Sequence, residues 1–239
     1  MLSVIDVVYV LGKGSLWDNN ELKYSLRGVE KHISGTGNIF IVGDKPGWIT
    51  NVIHIPFPDN HRLNKERNIF DKICAACTDD RASDDFLFMN DDHFALADFN
   101  ALDLPYYHRE PLDQFVKGKT TTYKVSAYNT MMALKRKGHS SLNYDVHTPI
   151  IYNKEKFLQL KQYDWNIRNG YIIKSLYCNT HSIPGQLIND CKIQEPLTIE
   201  GYRQRVEGRS FFSIGDPAIT PTFKRFMDEL YPDKSKFEL

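Results

Sequence analysis

The chain predicts an α/β fold, with a mixed, Rossmann-like sheet flanked by helices and an irregular C-terminal half. Three observations carry that prediction. Apolar, β-branched runs at Ser3 to Leu11, Asn38 to Val42 and Phe86 to Met89 have the look of strands covered on both faces. The segments between them have helical spacing, so β and α alternate as in nucleotide-binding sheets. The run from Phe86 then ends abruptly in Asn90-Asp91-Asp92-His93, where a buried strand normally closes on neutral turn residues.

Taken in order, Ser3 to Leu11 is the first strand, and Gly12-Lys13-Gly14-Ser15 follows as a loop able to bring its backbone close to a ligand. It lacks the spacing of either glycine-rich nucleotide motif. Asp18 is placed to cap a helix, with Glu21 three residues on to close a capping box, and Leu22, Leu26 and Val29 form its buried stripe. Asn38 to Val42 makes the second strand of a right-handed βαβ unit, and Val52 to Pro56 a short third. Asn64 to Cys77 is a helix leading through a polar loop into the strand at Phe86. Beyond residue 95 the pattern loosens. Helices are expected at Ser126 to Lys137, Lys154 to Gln162, part of Gly170 to Cys178, and Thr222 to Tyr231, while Ser210 to Asp216 repeats the strand-into-carboxylate pattern. With no repeat or linker, one domain over 1–239 is expected, its halves 1–95 and 96–239.

Composition narrows the function classes. Thirty basic and thirty acidic residues cancel, so overall charge gives no case for nucleic acid or an anionic membrane. No apolar run approaches a membrane span, the start of the chain reads as a strand, not a signal peptide, and a cytoplasmic location follows by default. Cys74 and Cys77 have the spacing of a zinc pair, but they lie in an apolar helical pattern and read as core thiols.

Two adjacent carboxylates repel unless a cation or hydrogen-bond donors compensate. Asp91-Asp92 at a strand's C-terminal end therefore predicts a divalent-metal site holding a nucleotide diphosphate, against the alternative of an Asp-rich turn. Strand alternation would put Asn90 and Asp92 on one side and Asp91 and His93 on the other.

Several stretches together resemble the Stealth proteins, a family of nucleotide-sugar-dependent transferases. They are Ile5 to Tyr9; Asp18-Asn19 with Glu21 to Arg27, Glu30-Lys31, Asn38 to Val42 and Pro46-Gly47-Trp48, closing at Asn90-Asp91-Asp92; His147-Thr148-Pro149; and Phe211 to Asp216 with the tail Leu230 to Glu238. The resemblance implies a GT-A-like core, a nucleotide diphosphate sugar donor and a Mn²⁺ or Mg²⁺ ion. Asp92 is then the metal ligand, on Asn-x-Asp spacing, and Asp91 meets the sugar or a metal-bound water. Tyr9, Lys13, Arg27, Asn90 and Asp91 are expected around the donor, with Arg27 forking onto phosphate unless it pairs with Glu30 or Glu21. His147 is the expected base for a hydroxyl acceptor, and Asp216 a second base or ligand. His93 is expected behind the site, and His181 and Arg209 are weaker candidates.

One departure bears on the reaction. Where the family continues its first block into an acidic segment, this chain has Gly12-Lys13-Gly14. Plain glycosyl transfer is then as well supported as sugar-phosphate transfer, and Lys13 stands where it can meet a donor phosphate. The acceptor hydroxyl is expected on a glycan or, alternatively, on a hydroxylated DNA base as in bacteriophage enzymes. A non-catalytic nucleotide- or sugar-binding module, and a zinc protein built on Cys74 and Cys77, are the other readings.

Overall fold

The computed structural model describes residues 4–118 and 121–239. Its main sheet is built from β1 (Ile5–Leu11), β2 (Thr36–Gly43), β3 (Ile53–Ile55), β4 (Asp85–Met89) and a strand from the second half, Ile150–Asn153, in the order β3-β2-β1-β4 with Ile150–Asn153 at the far edge. The first four strands are mutually parallel, and Ile150–Asn153 runs antiparallel to β4. A parallel-dominated sheet needs both faces covered, and alternation along β1 divides its side chains accordingly. Val8, with Phe40, Val42, Phe86 and Phe88, faces helix α2 (Lys65–Cys77) through Phe70 and Ile73. Val7, Tyr9 and Leu11, with Ile39, Ile41 and Leu87, face helix α1 (Asn20–His32) through Leu22, Leu26 and Val29. Truncating one such fully buried aliphatic to Ala costs about 2–5 kcal/mol.

The chain leaves β1 for β2 and β3 on one side, then returns to β4 on the other. The carboxyl ends of β1 and β4 therefore diverge at a topological switch point, which is where open α/β sheets leave a crevice for ligands. Gly12-Lys13-Gly14 leaves β1 there, and Asn90-Asp91-Asp92 leaves β4. A second sheet closes the crevice. In it β5 (His93–Ala95) pairs antiparallel with Phe211–Ile214, which pairs in turn with Lys192–Ile193. The sequence places Phe211–Ile214 correctly as a strand, but its partners are not those of the main sheet. Behind this second sheet Phe94, Phe212, Phe223 and Phe226 form a separate aromatic core.

Two local expectations need correction. Asp18 does not cap α1: Asn19 is the N-cap residue, at φ 56°, with no side-chain capping bond. Glu21 instead accepts from Ser15 Oγ at 2.9 Å, and Ser15 Oγ accepts from the backbone N–H of Trp17 and Asn19. The glycine loop is thereby tied to the start of α1. Strand alternation also fails at the carboxylates, because β4 stops at Met89 and residues 90–92 turn, with His93 N–H bonded to Asn90 O at 3.1 Å. Asp91 and Asp92 consequently face the same crevice, and His93 is fully buried beneath them.

Gly43, at the end of β2, has φ +110°, and a Cβ there would collide with the Leu11 carbonyl. That carbonyl also accepts from Lys72 Nζ at 2.6 Å under the crevice floor. Gly43→Ala is expected to destabilise the fold by about 2 kcal/mol or more in urea denaturation; a wild-type midpoint would show that this strand end is free to move.

Candidate active site

The crevice at the switch point has a volume of about 670 Å³. The loop after β1, the Asn90–Asp92 turn, the start of α2 with the segment before it, and the second sheet form its four sides. Asp91 and Asp92 lie on its floor. Burial pushes the Asp91 carboxyl up, and the charges of Asp92 and Glu21 push it further, to about 7. Burial acts on Asp92 in the same direction but is outweighed by Lys192, His93, His147 and the Ser213 hydroxyl, so its carboxyl is held low. Lys192 Nζ lies 3.0 Å from Asp92 Oδ2, and Ser213 Oγ donates to the same oxygen at 2.8 Å. Asp92 therefore has one open oxygen, whereas Asp91 has no side-chain hydrogen bond from the described residues.

Lys13, Asn90, Asp91, Asp92 and Asp216 all line the crevice, as their sequence positions predict. Tyr9 does not. Its ring lies on the α1 face of β1, fully buried, with Oη hydrogen-bonded to Ser25 Oγ at 2.8 Å. Ser25 Oγ donates onward to the His93 carbonyl at 2.7 Å, so Tyr9 supports the carboxylate turn from below. Arg27 does not reach the crevice either, because its guanidinium is held by Glu238 and the Tyr231 carbonyl. Neither Glu30 nor Glu21 is its partner. His147 is not among the residues lining the crevice; it lies near enough to Asp92 for its charge to bear on that carboxylate, and it is hydrogen-bonded to Asp190. Arg209 donates to the Asp190 carbonyl at 3.5 Å, and His181 is turned away onto the Lys156 carbonyl.

Lys192, Ser213 and Asp190 were not legible in the sequence. Lys192 lies in a two-residue strand one hundred positions from Asp92, and no local pattern announces such a pairing. The cysteines follow the core expectation: all four are buried, and burial pushes the Cys74 and Cys77 thiols up to about 12. Among the described residues no three His, Cys, Asp or Glu side chains converge as a protein-only metal site, and no helix is long and apolar enough to cross a membrane.

Glu66, at the start of α2, gives a pH test of the same interior. Burial, helped by the charge of Asp145, pushes its carboxyl up to about 8 from an ordinary 4.5. A carboxyl with a raised folded-state pKa contributes stability that is complete below its unfolded value and lost as pH rises toward about 8. Glu66→Gln is therefore expected to match wild type near pH 4 and to exceed it at pH 8.5 by about 2 kcal/mol, below the ideal linkage value because the side chain still touches water. Denaturation curves at the two pH values check this, and an unchanged difference would place Glu66 in bulk-like solvent.

The parallel-dominated mixed sheet flanked by helices matches the GT-A class of fold. The chain is similar in structure to the galactosyltransferase LgtC, solved in complex with donor and acceptor sugar analogs, at a TM-score of 0.50 and 13% identity over 97% of each chain. It also matches the bifunctional glycosyltransferase WbbM, at a TM-score of 0.49 and 10% identity over 98% of this chain and 50% of that one. A third match is a glycosyltransferase involved in glycosylation of the major capsid of PBCV-1, at a TM-score of 0.43 and 12% identity over 95% and 98%. No family model and no curated protein sequence matches the chain.

Proposed function

We propose that the protein is a metal-dependent glycosyltransferase, moving a sugar from a nucleotide diphosphate sugar to an acceptor hydroxyl. The observation that carries the reading is the Asp91–Asp92 pair, in which Asp92 is matched by Lys192 and Asp91 is unmatched on the floor of the switch-point crevice. The GT-A fold and the ordered Stealth-like sequence blocks support a nucleotide-sugar donor; the Stealth affiliation itself, and sugar-1-phosphate transfer as a variant reaction, rest on those blocks alone.

The donor set fits a hard cation. Mg²⁺ and Mn²⁺ are commonly held by one or two carboxylates, with substrate phosphates and water completing the shell. Asp91 and the open oxygen of Asp92 supply that number and kind of ligand. Bound there, the ion would act as a Lewis acid on the diphosphate leaving group. The chain's own residues do the rest. Lys192 keeps Asp92 ionised, Lys13 on the glycine loop and Lys65 at the head of α2 offer ammonium groups to phosphate, and Asn90 offers an amide to the sugar. Asp216, exposed on the opposite wall, is available to an acceptor hydroxyl.

A thermal-shift screen of nucleoside diphosphates with and without Mn²⁺, followed by donor turnover, tests the reading. A rise in Tm for one base that requires Mn²⁺, together with slow donor hydrolysis, is the expected result. Stabilisation without turnover of any nucleotide sugar would make the protein a binding module, and no stabilisation at all would remove the donor site.

A further inference from the structure

The polar backbone around His147 is fixed on every side by a side chain. Lys174, buried on the helix Ile173–Thr180, donates from Nζ to the Val146 carbonyl at 2.9 Å and the Thr148 carbonyl at 2.7 Å. Cys191 Sγ donates to the carbonyl of His147 itself at 2.9 Å, and the His147 N–H donates to Asp190 Oδ1 at 3.1 Å. The ring engages the same carboxylate, with Nδ1 2.9 Å from each Asp190 oxygen. Arg109 Nη1, 3.4 Å from Asp190 Oδ2, keeps that carboxylate from being an isolated charge. None of the described residues hydrogen-bonds Nε2, and the His147 side chain retains 21% exposure.

Burying an ammonium such as Lys174 is costly, and what it secures is the geometry of residues 146–148. Cys191 anchors His147, while the next residue, Lys192, reaches Asp92. The backbone of His147 is thus tied, by one step of chain, to Asp92 in the crevice.

We propose that Asp190 is a positioning residue that holds His147 as the Nδ1–H tautomer, leaving Nε2 as the proton acceptor for the attacking hydroxyl. The catalytic half of this rests on the transferase reading above. In the step, the hydroxyl O–H bond breaks and its proton goes to Nε2, giving an imidazolium stabilised by Asp190. The oxygen's electron pair forms the bond to the sugar carbon, and the carbon–oxygen bond to the diphosphate breaks with its electron pair leaving on the diphosphate. The imidazolium then releases its proton to solvent. The hydrogen bond made at one ring nitrogen decides which nitrogen is left to act as base.

The test begins on the free protein. NMR of protein labelled with ¹⁵N-histidine, with the His147 signal assigned from its loss in His147→Gln, reads the tautomer without any substrate. The expected result at pH 8 is Nδ1–H with unprotonated Nε2, and loss of that preference in Asp190→Asn. In turnover assays Asp190→Asn should lower kcat by about 10²-fold or more with the donor KM unchanged, and Asp190→Glu should recover part of the loss. An Nε2–H tautomer in wild type, or a wild-type kcat in Asp190→Asn, would overturn the proposal. Absence of turnover with every donor, alongside an Nδ1–H His147, would instead bring down the transferase reading and with it the proton transfer, while leaving the tautomer assignment standing.

Discussion

Asp91→Asn is expected to reduce Mn²⁺-dependent donor turnover by about 10³-fold and, in the same protein without metal, to raise Tm. The first effect follows from the proposed role. A divalent ion on a diphosphate leaving group contributes several kcal/mol of charge stabilisation, and 10³-fold corresponds to about 4 kcal/mol. The second follows from the electrostatics of the crevice. Burial and the charges of Asp92 and Glu21 disfavour the ionised Asp91 carboxylate, and no described side chain donates a hydrogen bond to it. An amide of the same shape removes that repulsion. Stability gained at a residue whose loss abolishes activity is the signature of a site held for function.

Asp92→Asn should behave differently. It leaves Lys192 and Ser213 facing a neutral group, so loss of activity would come with loss of stability. The two variants measured side by side separate ligand from scaffold. Full Mn²⁺-dependent activity in Asp91→Asn would sink the metal assignment, and equal stability changes in both would show that Lys192 does not distinguish the two carboxylates.

The first half of the fold was readable because its signals are local. β1, β2 and β4 are apolar runs long enough to be seen, and α1 and α2 carry their buried stripes at regular spacing. The sequence also placed Lys13, Asn90, Asp91, Asp92 and Asp216 on the crevice, because strand ends in an alternating sheet are where ligands bind. It misjudged what happens after Met89, because strand alternation was carried on through residues 90–93 although the chain turns at residues 90–92 and His93 starts a strand of another sheet. The side chains that stayed hidden, Lys192 beside Asp92 and Asp190 beside His147, come from a two-residue strand and a loop, where neither periodicity nor capping leaves a trace. The family resemblance misled in one particular way. Arg27 and Tyr9 belong to its matched blocks, and both prove to be fastenings of the scaffold. Asp6, in the first block, has the same character, accepting from Asn38 N–H and Ser83 N–H at 2.7 Å each.

Glu238→Gln should therefore cost stability before it costs chemistry, by about 3 kcal/mol in urea denaturation. Arg27 forks onto Glu238 with two bonds of 2.7 Å, donates a third to the Tyr231 carbonyl, and lies over the Tyr24 ring at 5.0 Å. The carboxylate side chain is only 4% exposed and the guanidinium 13%, so an amide would leave a nearly buried charge without its counter-ion. Burial raises the Glu238 carboxyl, but Arg27 together with the Ser235 N–H and hydroxyl outweighs it and holds it low. The stability this pair contributes is then complete above the ordinary 4.5 and lost as pH falls through the depressed value, so the difference between variant and wild type should shrink in acid. Replacing both residues, Arg27→Met with Glu238→Leu, should recover much of the loss, because a matched apolar pair has no stranded charge. The consequence extends to the crevice. The same tail segment holds Tyr231, whose Oη donates to the Ala95 carbonyl at 2.6 Å, and Ala95 ends the strand that begins three residues after Asn90. Loosening the tail should then weaken donor binding as well as the fold. A variant that loses 3 kcal/mol yet binds nucleoside diphosphate with wild-type affinity would show that β5 holds its place without the tail.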